Sequence, residues 1–419
     1  MKKITSIVLL IAMLLSTLAF TSCYMRSYSG KETEFTLNSD EQSYTFAYMY
    51  LSEECDVVIP SEYNGLPVTQ IAPLVFWNPE YLKSLTIPAT VTYICDYAFS
   101  DCTNLERVIF EEGSQLKTIE GCAFVDCSSL KDIELPESLE VIWGAAFSGC
   151  SSLESIHIPK NVNEINYGIQ ANSFEECTSL KSIIIDEENQ TYTMEGNFIY
   201  VMKDGKKHIV LCMGGDEDGV LRIPEDVDSF YFDAFATCKN VDTVYMHARL
   251  DDIPEVECAK EYIVAEDNPY FCSIDGVVYS KDKTELVYYP QSKEDKEFVV
   301  PSFVKKIGNF AFYGHTDYGV TYLEKVIISE GVTHIGKSAF SCSNIKSVEL
   351  PKSLEIIDSR AFYSCELLEE IKYAGTTLDF VFVLKGPFWI ALASKYPILK
   401  MTCSNGNRYL WTGLLSRIG

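Results

Sequence analysis

A repeat of about 23 residues constrains the fold of this chain more than any other feature of its sequence. The segments LKTIEGCAFVDCSSLKDIELP and LEVIWGAAFSGCSSLESIHIP begin at Leu116 and Leu139, 23 residues apart. The phenylalanine of an Ala-Phe or Ser-Phe pair recurs at Phe99, Phe124, Phe147, Phe174, Phe235, Phe312, Phe340 and Phe362. Self-similarity at a fixed period of this length is typical of solenoids. The sequence therefore predicts a stack of similar coils.

The end of each repeat predicts a short strand. Ile133 and Leu135 should face the core, because alternate residues of a strand face opposite sides. Asp132 and Glu134 should then face the solvent, and Pro136 should end the pairing because it has no N–H to donate. The phenylalanine should fill the interior where the chain turns back, and the small alanine should let neighbouring backbones approach. One coil cannot cover both of its faces, so its stability depends on stacking.

The motif Ala-Phe-x-x-Cys before the strand, with Ile-Pro or Leu-Pro after it, resembles the BspA-like leucine-rich-repeat family of bacterial surface proteins. The resemblance runs from about residue 56 to about residue 406. It implies a β-rich solenoid, a curved leucine-rich-repeat stack of about ten rungs with β-hairpin insertions and terminal caps. It also implies an exported protein that binds another molecule, without saying which one.

Breaks in the repeat divide the chain further. Acidic-Gly pairs at Glu195-Gly196 and Asp275-Gly276 predict hairpin turns in two similar segments without the repeat. The predicted parts are a lipoprotein signal peptide (1–22), a lipidated tether (23–34), an N-terminal cap (35–67), leucine-rich repeats (68–188, 221–267 and 298–373), β-hairpin insertions (189–220 and 268–297) and a C-terminal cap (374–419).

The N-terminus predicts export and lipid attachment. Lys2 and Lys3 precede an apolar run from residue 7 to residue 20 that is too short for a comfortable membrane span. Thr21 and Ser22 before Cys23 resemble a bacterial lipobox, which implies diacylglyceryl attachment at Cys23. The alternative is an ordinary signal peptide with an incidental cysteine. We expect a chain anchored to the cell envelope by lipid alone and exposed at the cell surface.

The charge of the chain limits its partners. It has 60 Asp and Glu against 34 Lys and Arg, for a formal net charge of −26. Such a surface repels phosphate backbones and anionic lipid head groups. We therefore expect no nucleic-acid partner and no membrane contact other than the lipid anchor.

The cysteines favour packing over disulfide or metal chemistry. We predict that seven of the 15 take the repeat position after Ala-Phe or Ser-Phe: Cys102, Cys127, Cys150, Cys177, Cys238, Cys342 and Cys365. Equivalent positions on stacked strands lie about 4.8 Å apart with parallel side chains, whereas a disulfide needs converging Cβ atoms about 3.8 Å apart. The spacing predicts a ladder of buried thiols that pack as small apolar groups. One disulfide among the other cysteines remains an open alternative.

Motifs for catalysis are missing from the sequence. None of the five histidines lies in an HExxH motif, and neither a G-x-S-x-G motif nor a P-loop is present. The acidic turn from Asp216 to Gly219 lacks the spacing and the distal glutamate of a calcium loop. We therefore expect no enzyme activity, no cofactor and no metal site.

Outward positions of the predicted strands form the candidate binding face. Solenoids use their concave strand face for recognition, and exposed apolar side chains among polar ones mark contact sites. The same apolar residues would also be chosen for strand propensity alone. The predicted face comprises Arg107, Ile109, Asp132, Glu134, Ser155, His157, Ser182, Ile184, Thr243, Tyr245, Lys325 and Ile327.

The leading functional hypothesis is protein binding through this concave face, and the family resemblance implies adhesion to host proteins or to neighbouring cells. Glycan capture is the second hypothesis, and it would need exposed aromatic platforms. The four tryptophans do not fall in the predicted strand column; they are Trp77, Trp143, Trp389 and Trp411. An enzyme site within an insertion is the third and weakest alternative.

Overall fold

The computed structural model describes residues 33–167, 172–231, 233–314, 322–376, 378–379, 399–406 and 408–411. The predicted repeat fold is confirmed, since the described residues form a β-solenoid of about 14 turns with almost no helix. These turns outnumber the rungs expected from the sequence. The described residues belong to two compact units, which we treat separately: unit 1 is Met1–Ile169 with Cys177–Leu180, and unit 2 is Gln170–Glu176 with Lys181–Gly419.

Unit 1 is built on two mainly parallel sheets. One has the order β1-β2-β5-β8-β10-β11-β13 and the other the order β3-β7-β9, with β4 and β6 paired at the side of the first. The strands are β1 (Thr33–Leu37), β2 (Tyr44–Tyr50), β3 (Cys55–Val58), β4 (Glu62–Tyr63), β5 (Leu66–Ile71), β6 (Phe76–Trp77), β7 (Leu82–Ile87), β8 (Tyr93–Ile94), β9 (Arg107–Phe110), β10 (Thr118–Ile119), β11 (Val141–Trp143), β12 (Ser155–Ile158) and β13 (Glu164–Tyr167), with a 3-10 helix at Pro79–Tyr81.

Unit 2 repeats this plan with interruptions. The strands are β14 (Ser182–Ile185), β15 (Tyr192–Glu195), β16 (Phe198–Lys203), β17 (Lys206–Cys212), β18 (Val220–Arg222), β19 (Ser229–Phe230), β20 (Thr243–Met246), β21 (Glu261–Val264), β22 (Phe271–Ile274), β23 (Val277–Ser280), β24 (Glu285–Tyr288), β25 (Glu297–Val300), β26 (Lys306–Ile307), β27 (Lys325–Ile328), β28 (His334–Ile335), β29 (Ser347–Leu350), β30 (Ile356–Ile357), β31 (Glu370–Tyr373), β32 (Leu399–Cys403) and β33 (Arg408–Trp411). Their sheet orders are β15-β16-β17-β19, β18-β20-β21, β22-β23-β24-β26-β28-β30 and β25-β27-β29-β31-β32-β33.

The two hairpin segments of unit 2 are part of the coil rather than additions outside it. Strands β15, β16 and β17 are antiparallel, as are β22, β23 and β24. The third strand of each segment then pairs in parallel with a short repeat strand, β17 with β19 and β24 with β26. Tyr200 and Tyr279 are each only 1% exposed, so both segments contribute to the core. The repeat motif is missing from these turns. This is one reason why the sequence predicted fewer rungs than the structure has turns.

Stacked phenylalanine rings run through the core of each unit. In unit 1 the ring centroids of Phe99 and Phe124 are 5.0 Å apart, and those of Phe124 and Phe147 are 5.4 Å apart. In unit 2 the ring of Phe340 lies 4.7 Å from Phe312 and 5.0 Å from Phe362. Burial of each such ring contributes about 1.5–3 kcal/mol before conformational entropy is subtracted. The prediction that these side chains fill the interior is confirmed.

Backbone hydrogen bonds join the turns that carry these rings. The N–H of Phe124 donates to the carbonyl oxygen of Ala146 at 2.8 Å, and the N–H of Phe340 donates to that of Ala361 at 2.8 Å. The residue before the alanine has a left-handed backbone, with φ of 56° at Cys122. This conformation costs a residue with a Cβ about 1–2 kcal/mol. Contacts between coils must therefore offset local strain in every such turn.

The repeat cysteines link neighbouring coils as well as filling space. The buried thiol of Cys127 donates to the carbonyl oxygen of Phe99 at 3.2 Å, and that of Cys365 donates to the carbonyl oxygen of Phe340 at 2.9 Å. The predicted ladder of buried thiols is thus present, with an added hydrogen bond of the weak S–H···O type. The placement of Cys342 in this ladder was wrong. Ser343, three residues after Phe340, is 4% exposed and takes the position instead.

Antiparallel strands lie at the two ends of the described chain. Strand β1 pairs antiparallel with β2 in unit 1, and β33 pairs antiparallel with β32 in unit 2. Each departs from the parallel pairing of the repeats beside it. The capping roles of residues 35–67 and 374–419 stay predictions, and Trp389 in the second segment lies outside the described residues.

The ring stack predicts a large difference between two phenylalanines of unit 2. Phe340→Ala should lower the free energy of unfolding by about 3–5 kcal/mol, because it opens a cavity between two stacked rings. Phe310→Ala is the matched control and should lower it by only about 1 kcal/mol, because Phe310 is 43% exposed and its ring is only partly buried. Urea unfolding followed by circular dichroism measures both. Equal effects of the two substitutions would contradict the buried stack.

Thiol accessibility gives a second prediction. Burial raises the pKa of Cys127, and it raises the pKa of Cys365 to about 12. Only the thiolate is alkylated, so both groups should stay unreactive at pH 8 and gain reactivity only as the pH approaches the raised pKa. Iodoacetamide should modify half-buried Cys55 first, and Cys127 only in denaturant. Peptide mass spectrometry measures the extent of modification at each cysteine. Labelling of Cys127 at the rate of Cys55 would show that the thiol ladder is open to solvent.

Candidate functional site

The outward side chains of unit 1 are held in register by parallel pairing. Strand β9 runs beside β7, with Arg107 opposite Ser84 and Ile109 opposite Thr86. Between them Val108 is buried, while Ile109 remains 42% exposed. The alternation thus places an apolar group on the outer side of the strand.

The next two coils of unit 1 keep this alternation. Asp132 and Glu134 are exposed on either side of buried Ile133, although the segment forms no regular strand. In β12, Ser155 and His157 are exposed. All six residues predicted for the binding face in this unit are therefore on the solvent side.

The six residues predicted in unit 2 differ in exposure. Ile184 is 52% exposed and Tyr245 is 37% exposed, whereas Ser182 and Thr243 are half-buried. Lys325 and Ile327 are also half-buried in β27. Strands β25 and β29 pair with β27 on its two sides.

Parallel register brings two further apolar residues onto the outer side of unit 2. Ile263 on β21 lies opposite Tyr245 on β20, and Val299 on β25 lies opposite Ile327 on β27. Ile263 is 45% exposed and Val299 is 51% exposed. Neither residue was predicted from the sequence, because both strands lack the full repeat. Their alternating apolar pattern, EYIV and EFVV, is the signal that could have identified them.

One outward residue of unit 1 was also missed. Val58 is 65% exposed in β3, opposite Thr86 of β7. Its segment precedes the first Ala-Phe pair, so the repeat pattern gave no reason to include it. We use the name strand face, in each unit separately, for the outward residues of that unit given in this subsection.

Charged side chains on the strand face of unit 2 pair with one another. The Nζ atom of Lys325 lies 3.0 Å from a carboxylate oxygen of Glu297 and 3.3 Å from one of Glu349. Hydrogen bonds to Glu297 and then Glu349 raise the pKa of Lys325. Lys372 lies 3.4 Å from Glu349. Exposed pairs of this kind contribute at most about 1 kcal/mol each, so the apolar neighbours offer a partner more binding energy than the charges do.

The acidic turn of unit 2 is occupied by an arginine. The guanidinium of Arg222 lies 2.7 Å from Asp216 and 2.8 Å from Asp218. Hydrogen bonding to Arg222 lowers the pKa of the Asp218 carboxyl group. These two carboxylates therefore anchor a turn next to β18.

Among the residues that the structure describes, no three His, Cys, Asp or Glu side chains converge as a metal site would require. The described part of the chain also contains no helix with the length and apolar content needed to cross a bilayer. The predicted lipidation residue, Cys23, and the predicted signal peptide lie outside the described residues.

The stacked repeat is similar to that of known proteins. A family model described as the BspA type leucine rich repeat region matches residues 69–198 and 288–380 in six copies, just over half of the 419 residues. The chain belongs to this BspA-type leucine-rich-repeat family. Proteins of the family are repeat proteins and are generally not enzymes. No curated protein matches the sequence.

Several solved structures are similar to this BspA-type chain. The pneumococcal vaccine antigen PcpA is 23% identical, with 90% of this chain and 80% of that chain covered and a TM-score of 0.35. A leucine rich cell surface protein from Faecalibacterium prausnitzii is 24% identical, with 85% and 97% covered and a TM-score of 0.44. A leucine rich repeat protein from T. pallidum is 31% identical, with 36% and 68% covered and a TM-score of 0.33.

Proposed function

We propose that this BspA-type protein binds an extracellular protein, from a host or a neighbouring cell, through its strand face. The observation that carries the proposal is the pairing of outward apolar side chains across neighbouring strands of unit 2. Tyr245 lies opposite Ile263, and exposed Val299 lies opposite half-buried Ile327. Apolar residues surrounded by polar ones are typical of the centre of a protein interface.

The composition of the strand face supports recognition of a protein. Tyrosine supplies a large contact area at a low cost in conformational entropy. It is also enriched among the interface residues that contribute most of the binding energy. On this face, Lys325 already forms ion pairs with Glu297 and Glu349. A partner that covers this surface therefore need not supply a counter-charge for Lys325.

We also propose that the chain is exported and lipid-anchored at Cys23. The basic and apolar residues before Cys23 support this proposal, as does the similarity to a protein described as a cell surface protein. Stable anchoring requires more than one acyl chain, a condition that the two chains of a diacylglyceryl group meet.

Glycan binding is the second candidate. Trp77 is 59% exposed and could stack on a sugar ring. It lies in β6, beside Tyr50 of β2, and not on the strand face. Glycan capture would therefore use a different surface from protein binding, so that variants can separate the two functions.

The strand-face proposal predicts the effect of two substitutions. The chain from Tyr24 onward should bind a protein on an array of extracellular proteins, and Tyr245→Ala with Ile263→Ser should weaken that binding by about tenfold or more, because both remove central apolar contacts. Biolayer interferometry gives the dissociation constants. Tyr363→Ala is the matched control, since Tyr363 is 41% exposed outside the strand face. Unchanged binding by the double variant, or signals on a glycan array alone, would contradict the proposal.

The anchor proposal is tested separately. Cys23→Ala should leave the chain without an acyl group, because the thiol that would carry it is absent. Metabolic labelling with an alkyne fatty acid should mark the wild-type chain and not the variant. Equal fatty-acid labelling of the variant and the wild-type chain would rule out anchoring through this cysteine.

A further inference from the structure

The turn after strand β20 in unit 2 contains a histidine where the turns after other repeat strands have a proline. Pro351 follows β29, and His247 takes the same position after β20. The backbone of the turn is the same in both coils. The N–H of Leu354 donates to the carbonyl oxygen of Pro351 at 3.3 Å, and the N–H of Leu250 donates to that of His247 at 3.4 Å. The repeat itself therefore does not require a histidine here.

The imidazole ring of His247 is buried, and only one of its nitrogens is hydrogen-bonded. His247 is 3% exposed. Its Nδ1 atom accepts the backbone N–H of Arg249 at 3.0 Å, so the neutral ring carries its proton on Nε2. The carbonyl group of Pro224 adjoins the ring, but Nε2 has no hydrogen-bond partner of acceptable geometry among the described residues. Such groups are rare in folded proteins, and this turn depends on a ring nitrogen that carries no proton.

Charged groups of the preceding coil and of the turn itself act on this ring in opposite directions. Burial is the largest influence and lowers the pKa of His247. The charge of Glu225 raises this pKa, that of Arg249 lowers it, and that of Asp226 has a smaller raising effect. Asp226 is paired with Lys207, whose Nζ atom lies 2.9 Å from its carboxylate. The acidic neighbours therefore do not offset the burial of the ring.

The following coil contributes a neutral contact to the same turn. The amide N–H₂ of Asn268 donates to the carbonyl oxygen of His247 at 3.0 Å, and its side-chain oxygen accepts the N–H of Phe271 at 2.9 Å. Asn268 is fully buried, whereas its neighbours Glu266 and Asp267 are exposed. The turn is thus linked to the start of β22 without a counter-charge for a protonated ring.

We propose that His247 is an acid-sensitive switch that opens the turn after β20. A proton on Nδ1 removes the acceptor for the N–H of Arg249 and leaves a charge in a buried place, which is costly. In an opened turn the ring is in water and takes up the proton freely. Acid therefore favours the opened turn.

The direction of the pH effect follows from the difference in proton affinity. The opened turn binds the proton with the ordinary pKa of histidine, about 6.5, and the pKa of the closed turn is lower because of burial. Opening should become more favourable as the pH falls below about 6.5 and should level off below the pKa of the closed turn. Tyr245 lies two residues before His247, so an opened turn would loosen its register with Ile263. The switch does not depend on partner binding by the strand face.

Hydrogen exchange of the purified full chain, followed by mass spectrometry, tests the proposal. Peptides with the amides of Arg249 and Leu250 measure the opening of this turn, and a peptide with the amide of Leu354 measures that of the proline turn. After correction for the intrinsic effect of pH on exchange, the opening equilibrium at Arg249 and Leu250 should rise by up to about tenfold from about pH 7.5 to about pH 5.5. That at Leu354 should change by less than about twofold. Equal changes in the two turns would overturn the proposal.

Two substitutions remove the titrating ring. His247→Gln keeps a side-chain oxygen that can accept the N–H of Arg249, and His247→Pro restores the residue of the other coils. Both variants should lose the acid-induced rise in opening. If His247→Pro does not fold, His247→Gln decides alone, and a rise that persists in His247→Gln would overturn the proposal. His334→Gln is the matched control and should keep the rise, because His334 pairs with Asp358 at 2.8 Å on β28.

A direct titration of the ring gives a second readout. The chain has five histidines, so selective ¹³C labelling of histidine gives few signals, and the signal that disappears in His247→Gln belongs to His247. Its pKa should lie below about 6.5, because burial disfavours the charged ring. A pKa of His247 at or above that value would show that the closed turn accepts the proton and would contradict the switch.

Discussion

The stacking of one turn on the next through its phenylalanine is the interaction on which the rest of each unit depends. Phe124 illustrates it, since the ring stacks on Phe147 at an interplanar angle of 4°, and the N–H donates to Ala146. The carbonyl oxygen of the same residue accepts a hydrogen bond from the thiol of Cys150 at 3.2 Å. One residue thus uses its ring, its donor and its acceptor between coils. The left-handed residue before each alanine is tolerated because these contacts hold it in place.

This way of building a core leaves the outer side of the strands available. Inward positions such as Val244 and Val326 are fully buried, so variation in their size would disturb the neighbouring turns. Outward positions have no such constraint, and Tyr245 or Val299 can change without a cost to packing. The proposed binding surface and the stable core therefore occupy alternate residues of the same strands.

The sequence predicted the core well because the repeat records it directly. The phenylalanines, the inward aliphatic residues and most of the thiol ladder were identified from spacing alone. Other features depend on pairing between strands that are distant in sequence. The parallel joining of β17 with β19, the contact of Ile263 with the strand of Tyr245, and the ion pairs of Lys325 require knowledge of register.

Native-state hydrogen exchange tests the central claim most directly. The account predicts that the amides of Phe99, Phe124 and Phe340, which donate to the next turn, exchange only through global or subglobal unfolding. Exposed turn amides such as that of Gly113 should exchange at rates near those of an unstructured peptide. Fast exchange at the three phenylalanines, at rates like that of Gly113, would show that the turns are not joined as described and would contradict the account.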